Sequence, residues 1–186
     1  MDPVFTRMAV ERFTPPGCPR AYDLAPLTFR ERQAFNADMA RDGGMYPSRA
    51  QLLDAMRRVV RELAPSNAEP VIDIIDAAEA DPDGNDRAVQ EQISELEFRI
   101  AEQPAYANLV AARVHYAGML PFIAARHALR GWEGPSLPPF VRIRGLVPDA
   151  VLELLPHAEL RAIGERAAEL MRVGPSAEGN SAPPSP

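Results

Sequence analysis

A chain of 186 residues and 20.4 kDa has the size of a single domain, with room for one core and a small satellite. Hydrophobic residues make up 46% and charged residues 25%, which excludes wholesale disorder and fits a folded, soluble protein. The formal charge of −6 is concentrated: residues 65–110 hold 11 acids and 2 arginines, a block that repels a phosphate backbone and disfavours nucleic acid as a partner.

The elements follow in chain order. Residues 1–26 read as a short β-hairpin or extended arm, in which 8–13 and 20–24 flank Pro15-Pro16-Gly17. Thr28, with Glu31 three residues on, is a reciprocal capping pair that opens a helix, with Phe35 and Met39 on one face and Gly43-Gly44 at its end. Ser48 and Gln51 repeat the device. The helix that follows carries Leu52, Leu53, Met56, Val59, Val60 and Leu63, an apolar stripe at helical spacing that stops before Pro65.

A third helix is expected over residues 68–80, and a fourth, capped by Asp86, carries Val89, Ile93, Leu96 and Ile100. Residues 104–130 are the most apolar part, charged only at Arg113, Arg126 and Arg130. Such a helix belongs in the centre of a bundle or in a groove that another chain fills, with a kink at Pro121. Gly131-Trp132-Glu133-Gly134 ends it, residues 140–144 read as a short strand, and Pro148 and Pro156 open two last helices. From Gly174 the composition predicts disorder. The fold class is therefore mostly α, a multi-helix bundle: an arm at 1–26, a helical domain at 27–173 and a disordered tail at 174–186.

Chemistry finds little to work with. All 20 basic residues are arginine, which removes Schiff-base chemistry and the phosphate-binding loop whose lysine reaches a nucleotide. His115, His127 and His157 lack metal-ligand spacing, the acidic run 81–86 lacks the glycine and glutamate of a calcium loop, and Cys18 has no partner for a disulfide. No catalytic residue, metal ligand or cofactor is expected. The stretch 117–129 is too short and too interrupted for a membrane span, and no secretory leader is read at the start. A soluble, intracellular protein is expected.

Two stretches carry a resemblance. One is Tyr22-Asp23-Leu24-Ala25-Pro26-Leu27-Thr28-Phe29-Arg30-Glu31-Arg32, followed by Asp42-Gly43-Gly44-Met45-Tyr46-Pro47-Ser48 and the helix over 52–63. The other is Ala128-Leu129-Arg130-Gly131-Trp132-Glu133-Gly134, a spacer, the helices at 151–155 and 160–170, and Glu178-Gly179-Asn180-Ser181. Together they cover about two thirds of the chain and resemble the tail assembly chaperones of long-tailed bacteriophages and prophages, the lambda-like group that attends the tape measure protein. The family's tail often has a lysine where this chain has Gly179, and residues 65–110 match nothing in it.

The resemblance implies a non-enzymatic protein of the host bacterial cytoplasm that coats the tape measure protein before the tail tube polymerises around it. The tail tube protein is a second candidate partner, and self-association is allowed. Exposed apolar helical surface aggregates unless another apolar face covers it, and two faces here are candidates: Leu52, Met56 and Val60 on one helix, and Tyr116, Met119 and Phe122 on the long one. Both faces could instead pack within the bundle. Trp132 either anchors a partner or locks the proline-rich segment behind it. The rival readings are a structural virion protein of the tail or head–tail connector, and a small-ligand-binding helical regulator.

Overall fold

A computed structural model describes residues 10–172, with seven α-helices and one small sheet among them. The tail beginning at Gly174 lies outside the described residues, as do residues 1–9 of the arm. The protein is mostly helical, as the periodicities predict. The chain divides into two compact units. One comprises the described parts of Met1–Gly43 and Ala117–Pro186, the other Gly44–Tyr116. The helical region expected at 27–173 is thus shared between the two, and the β arm belongs to the first.

In the first unit, β1 (Glu11–Phe13) and β2 (Ala21–Leu24) form the expected antiparallel hairpin. A third strand, β3 (Leu129–Glu133), pairs antiparallel with β2, so that Tyr22 faces Trp132 across the ladder. The sequence reading ends a helix here and places a strand at 140–144 instead. That segment makes only an isolated bridge between Ile143 and Leu146 around the left-handed Arg144 and Gly145. Pro138 and Pro139 before it have no N–H to give a ladder, whereas β3 finds its partner more than a hundred residues earlier in the chain.

Helix α1 (Phe29–Asp38) starts at the Thr28–Glu31 capping box and passes into a π-helical turn over Met39–Gly43. The second unit contains α2 (Arg49–Leu63), α3 (Ala68–Ala80) and α4 (Arg87–Ile100). Ser48 and Gln51 cap α2 reciprocally, and Asp86 accepts from the N–H groups of Ala88 and Val89 at the start of α4. The acidic run before α4 is a turn, closed by the Asp86 N–H on the Asp81 carboxylate at 2.8 Å. Leu52, Met56, Val59 and Val60 interlock with Ile72, Ile75, Ile93 and Ile100 in this unit's core.

Helix α5 (Pro104–Ala128) contributes its first half to the second unit and its second half to the first. The core of the first unit gathers Ala124, Ala125, Ala128 and Leu129 with Tyr22 and Leu24 of the sheet. Leu152 of α6 (Asp149–Leu152) and Ile163 and Ala167 of α7 (His157–Met171) complete it. Pro148 and Pro156 occupy the cap positions directly before these two helices.

Helix α7 approaches α5 so closely that a Cβ built on Gly164 would lie 2.0 Å from the Pro121 carbonyl oxygen. Backbone cannot yield as a flexible side chain does. Gly164→Ala should therefore cost about 1–3 kcal/mol through overpacking, measured as a lower urea midpoint with an unchanged slope.

Candidate functional site

The residues singled out as partner-binding fall into two classes. Leu52, Met56 and Val60 are buried in the core of the second unit, covered by α3 and α4. Trp132 is buried in the first unit, edge-on to Tyr22 and to Phe140 at 4.9 Å, and its indole N–H donates to the Pro138 carbonyl at 2.8 Å. That bond ties the proline-rich segment to the sheet, one of the two roles the sequence allows for it. These four side chains hold the structure together and present no open surface.

Tyr116, Met119 and Phe122 on α5 remain partly exposed. Tyr116 packs edge-on against Tyr46 in the second unit. Met119 and Phe122 instead line a groove of about 460 Å³ in the first unit, between α5 and α7. Pro121 joins them from α5, and Leu160, Arg161 and Glu165 come from α7, together with its first residue, His157. Arg161 and Glu165 pair with one another at 2.8 Å, one turn apart. The groove therefore has an apolar floor and a rim of compensated charge, the chemistry that receives an amphipathic segment. The size is that of an ordinary binding pocket.

The Arg126 guanidinium, 5.7 Å from the Phe122 ring centroid, belongs to a polar cluster that the sequence does not announce. The carboxylate of Asp38 accepts from Arg41 at 2.8 Å, from Arg126 at 3.2 Å and from the His127 Nε2 at 2.9 Å. Arg126 also binds Asp149 through two bonds, of 2.8 and 3.0 Å. Burial works to raise the Asp38 carboxyl, but the bond from His127 and the charge of Arg41 outweigh it, and the group lies below the usual carboxylate range. Burial dominates at His127, whose side chain is 1% exposed, and lowers the imidazole from its ordinary 6.5. Asp38 opposes this only in part because its charge is shared with two guanidinium groups. The neutral ring donates from Nε2, since a carboxylate only accepts, and among the described residues Nδ1 has no hydrogen-bond partner.

A second carboxylate, the half-buried Glu159 in the first turn of α7, staples that helix to the hairpin. It accepts from Arg20 at 2.6 Å, from the Tyr22 hydroxyl at 2.5 Å and from the Cys18 thiol at 3.0 Å. Burial would raise Glu159, but the bonds from Cys18, Tyr22 and Arg20 hold it below its ordinary 4.5. The Cys18 thiol is pushed up by burial and by the neighbouring carboxylate, which favours the thiol over the thiolate. The only sequence sign of the first cluster is Arg126-His127 inside an otherwise apolar run. Nothing marks Glu159, because its three donors are more than a hundred residues away.

Among the described residues, no group of three or more His, Cys, Asp or Glu side chains could hold a metal ion. No helix among them is long and apolar enough to cross a membrane. Comparison with protein-family models, curated proteins and solved structures returned no match.

Met56→Ala should destabilise the second unit by about 2–5 kcal/mol, the cost of a core cavity, checked by chemical denaturation; a partner-facing methionine would leave stability unchanged. The pH dependence also has a definite sign. His127 is lowered on folding, so its contribution is complete above pH 6.5 and is lost as the pH falls below that value. Glu159 adds a further loss below pH 4.5. His127→Gln should flatten the first decline and leave the second, as read from urea midpoints across the pH range.

Proposed function

We propose that this chain is a non-enzymatic tail assembly chaperone of a long-tailed bacteriophage or prophage, working in the host bacterial cytoplasm on the tape measure protein. A tape measure is a long helical polypeptide whose apolar faces lie open until the tail tube encloses them. A protein that covers such faces reversibly needs apolar, adaptable surface and no reactive group. The observation that carries the reading is the groove between α5 and α7, in which Met119 and Phe122 stand open beside the charge-paired Arg161 and Glu165.

Methionine suits the task because its unbranched, polarizable side chain repacks against varied partners. Val114 on the preceding turns of α5 is also exposed, so the long helix keeps apolar positions outside both cores. The likeness of residues 22–63 and 128–181 to the chaperone family supports the same role.

Co-expression is the direct test. The tape measure protein of the same phage or prophage should be insoluble alone and soluble beside this chain, and the two should purify together. Met119→Glu should reduce that rescue about tenfold or more, a charge in an apolar contact being worth upwards of 1–3 kcal/mol, while the melting temperature stays near that of the wild type. A chaperone leaves the finished particle, so purified particles should lack it. Its presence there in ring-like stoichiometry would identify a connector instead.

A further inference from the structure

The second unit carries a surface separate from the groove. Gly44, with φ of +72°, turns the chain ahead of Met45 and Tyr46. The Tyr46 ring lies edge-on to Tyr116 at 5.3 Å between centroids, and the Arg113 guanidinium sits over it at 4.9 Å. Arg113 is itself held by donating its Nε–H to the Pro47 carbonyl at 2.9 Å. Despite these contacts Tyr46 remains 53% exposed, Met45 beside it 81% and Val114 of α5 67%. The result is an aromatic platform whose side chains are already fixed by one another, with the exposed Met45 next to Tyr46 in the chain.

Tyrosine, methionine and arginine are the residue types in which the centres of protein interfaces are enriched. Ordering them in advance removes part of the entropy cost of binding.

Charge says what fits there. Gly44–Tyr116 holds 13 acids against 7 arginines, a formal −6 that equals the excess of the entire chain. Arg49 donates to the carbonyls of Ala78 and Asp81, which sets the acidic turn at 81–86 against the start of α2, three residues beyond Tyr46. A field of this sign attracts cationic flanks and repels a second copy of the same unit.

We infer that the Met45–Tyr46–Arg113–Tyr116 platform docks an amphipathic helix whose apolar stripe is bordered by lysine or arginine. Resting on the chaperone reading, this assigns the second unit its own grip on the client: basic-flanked helical segments of the tape measure protein.

The test uses the full chain and two synthetic helices about five turns long, one of leucine and lysine and one of leucine and glutamate. Binding is read by fluorescence anisotropy and by the Met45 methyl resonance. The leucine–lysine helix should bind and shift that resonance, and the leucine–glutamate helix should bind at least tenfold more weakly. The double variant Met45→Ser, Tyr46→Ser, altered only at exposed positions, should keep its melting temperature and lose tenfold or more in affinity for the leucine–lysine helix.

Three results would overturn the inference: equal binding of the two helices, undiminished binding by the double variant, or a dimer of the free protein that the double variant abolishes. Solubilisation of the tape measure by both wild type and double variant would likewise overturn this surface while leaving the chaperone function standing. Failure of the wild type to solubilise it, beside peptide binding that the double variant loses, would support the surface and overturn that function.

Discussion

Helix α5 ends inside the core of the first unit, and everything around it answers to that. A helix leaves its last carbonyls without intrahelical partners, and here Ala124 to Leu129 are buried from water. The structure supplies the missing donors from other parts of the chain. The Val147 N–H reaches the Arg126 carbonyl, the Ala25 N–H reaches that of Ala128, and Arg130 and Arg142 share that of His127. The same turn carries a guanidinium and an imidazole into the interior. Asp38 and Asp149 therefore come in from α1 and α6, because a buried charge without a partner costs several kcal/mol. The loop after β3, the end of α1 and the start of α6 are placed by these obligations as much as by apolar contact.

The second unit is held differently. Its interior is built mainly of apolar side chains from α2, α3 and α4, with Tyr106 of α5, and its charges stay outside. Arg57 gathers Asp54, Asp76 and Glu79 on the surface, a network that links α2 to α3. Exposed pairs of this kind contribute little singly, so cohesion here comes from burial of leucine, isoleucine and valine. The contrast bears on function. The first unit has a cleft between α5 and α7, while the second leaves an aromatic platform on an acidic body.

Much of this was legible in the residues. The capping pairs Thr28–Glu31 and Ser48–Gln51, the Asp86 cap and the stripe from Leu52 to Val60 are local signals, and each marks the element it predicts. The assignment of surfaces was not. Leu52, Met56 and Val60 have the same apolar spacing whether they face a partner or a core, and periodicity gives a direction on the helix without saying what lies there. Met119 and Phe122 line the groove beside the point where Gly164 lets α7 meet α5 backbone to backbone at Pro121. Tyr46 with Arg113 was invisible for a related reason: two segments 66 residues apart must meet before the platform exists.

The amino-acid sequence alone determined the helices, their caps, the hairpin and the acidic middle, because each rests on interactions within a few residues. Only the tertiary structure decided that residues 129–133 extend as a strand, that Trp132 closes a core, and that Asp38 and Glu159 each accept bonds from several distant side chains. Those outcomes depend on partners far away in the chain, and a dipole or a ladder position has no local pattern to announce the group that will satisfy it.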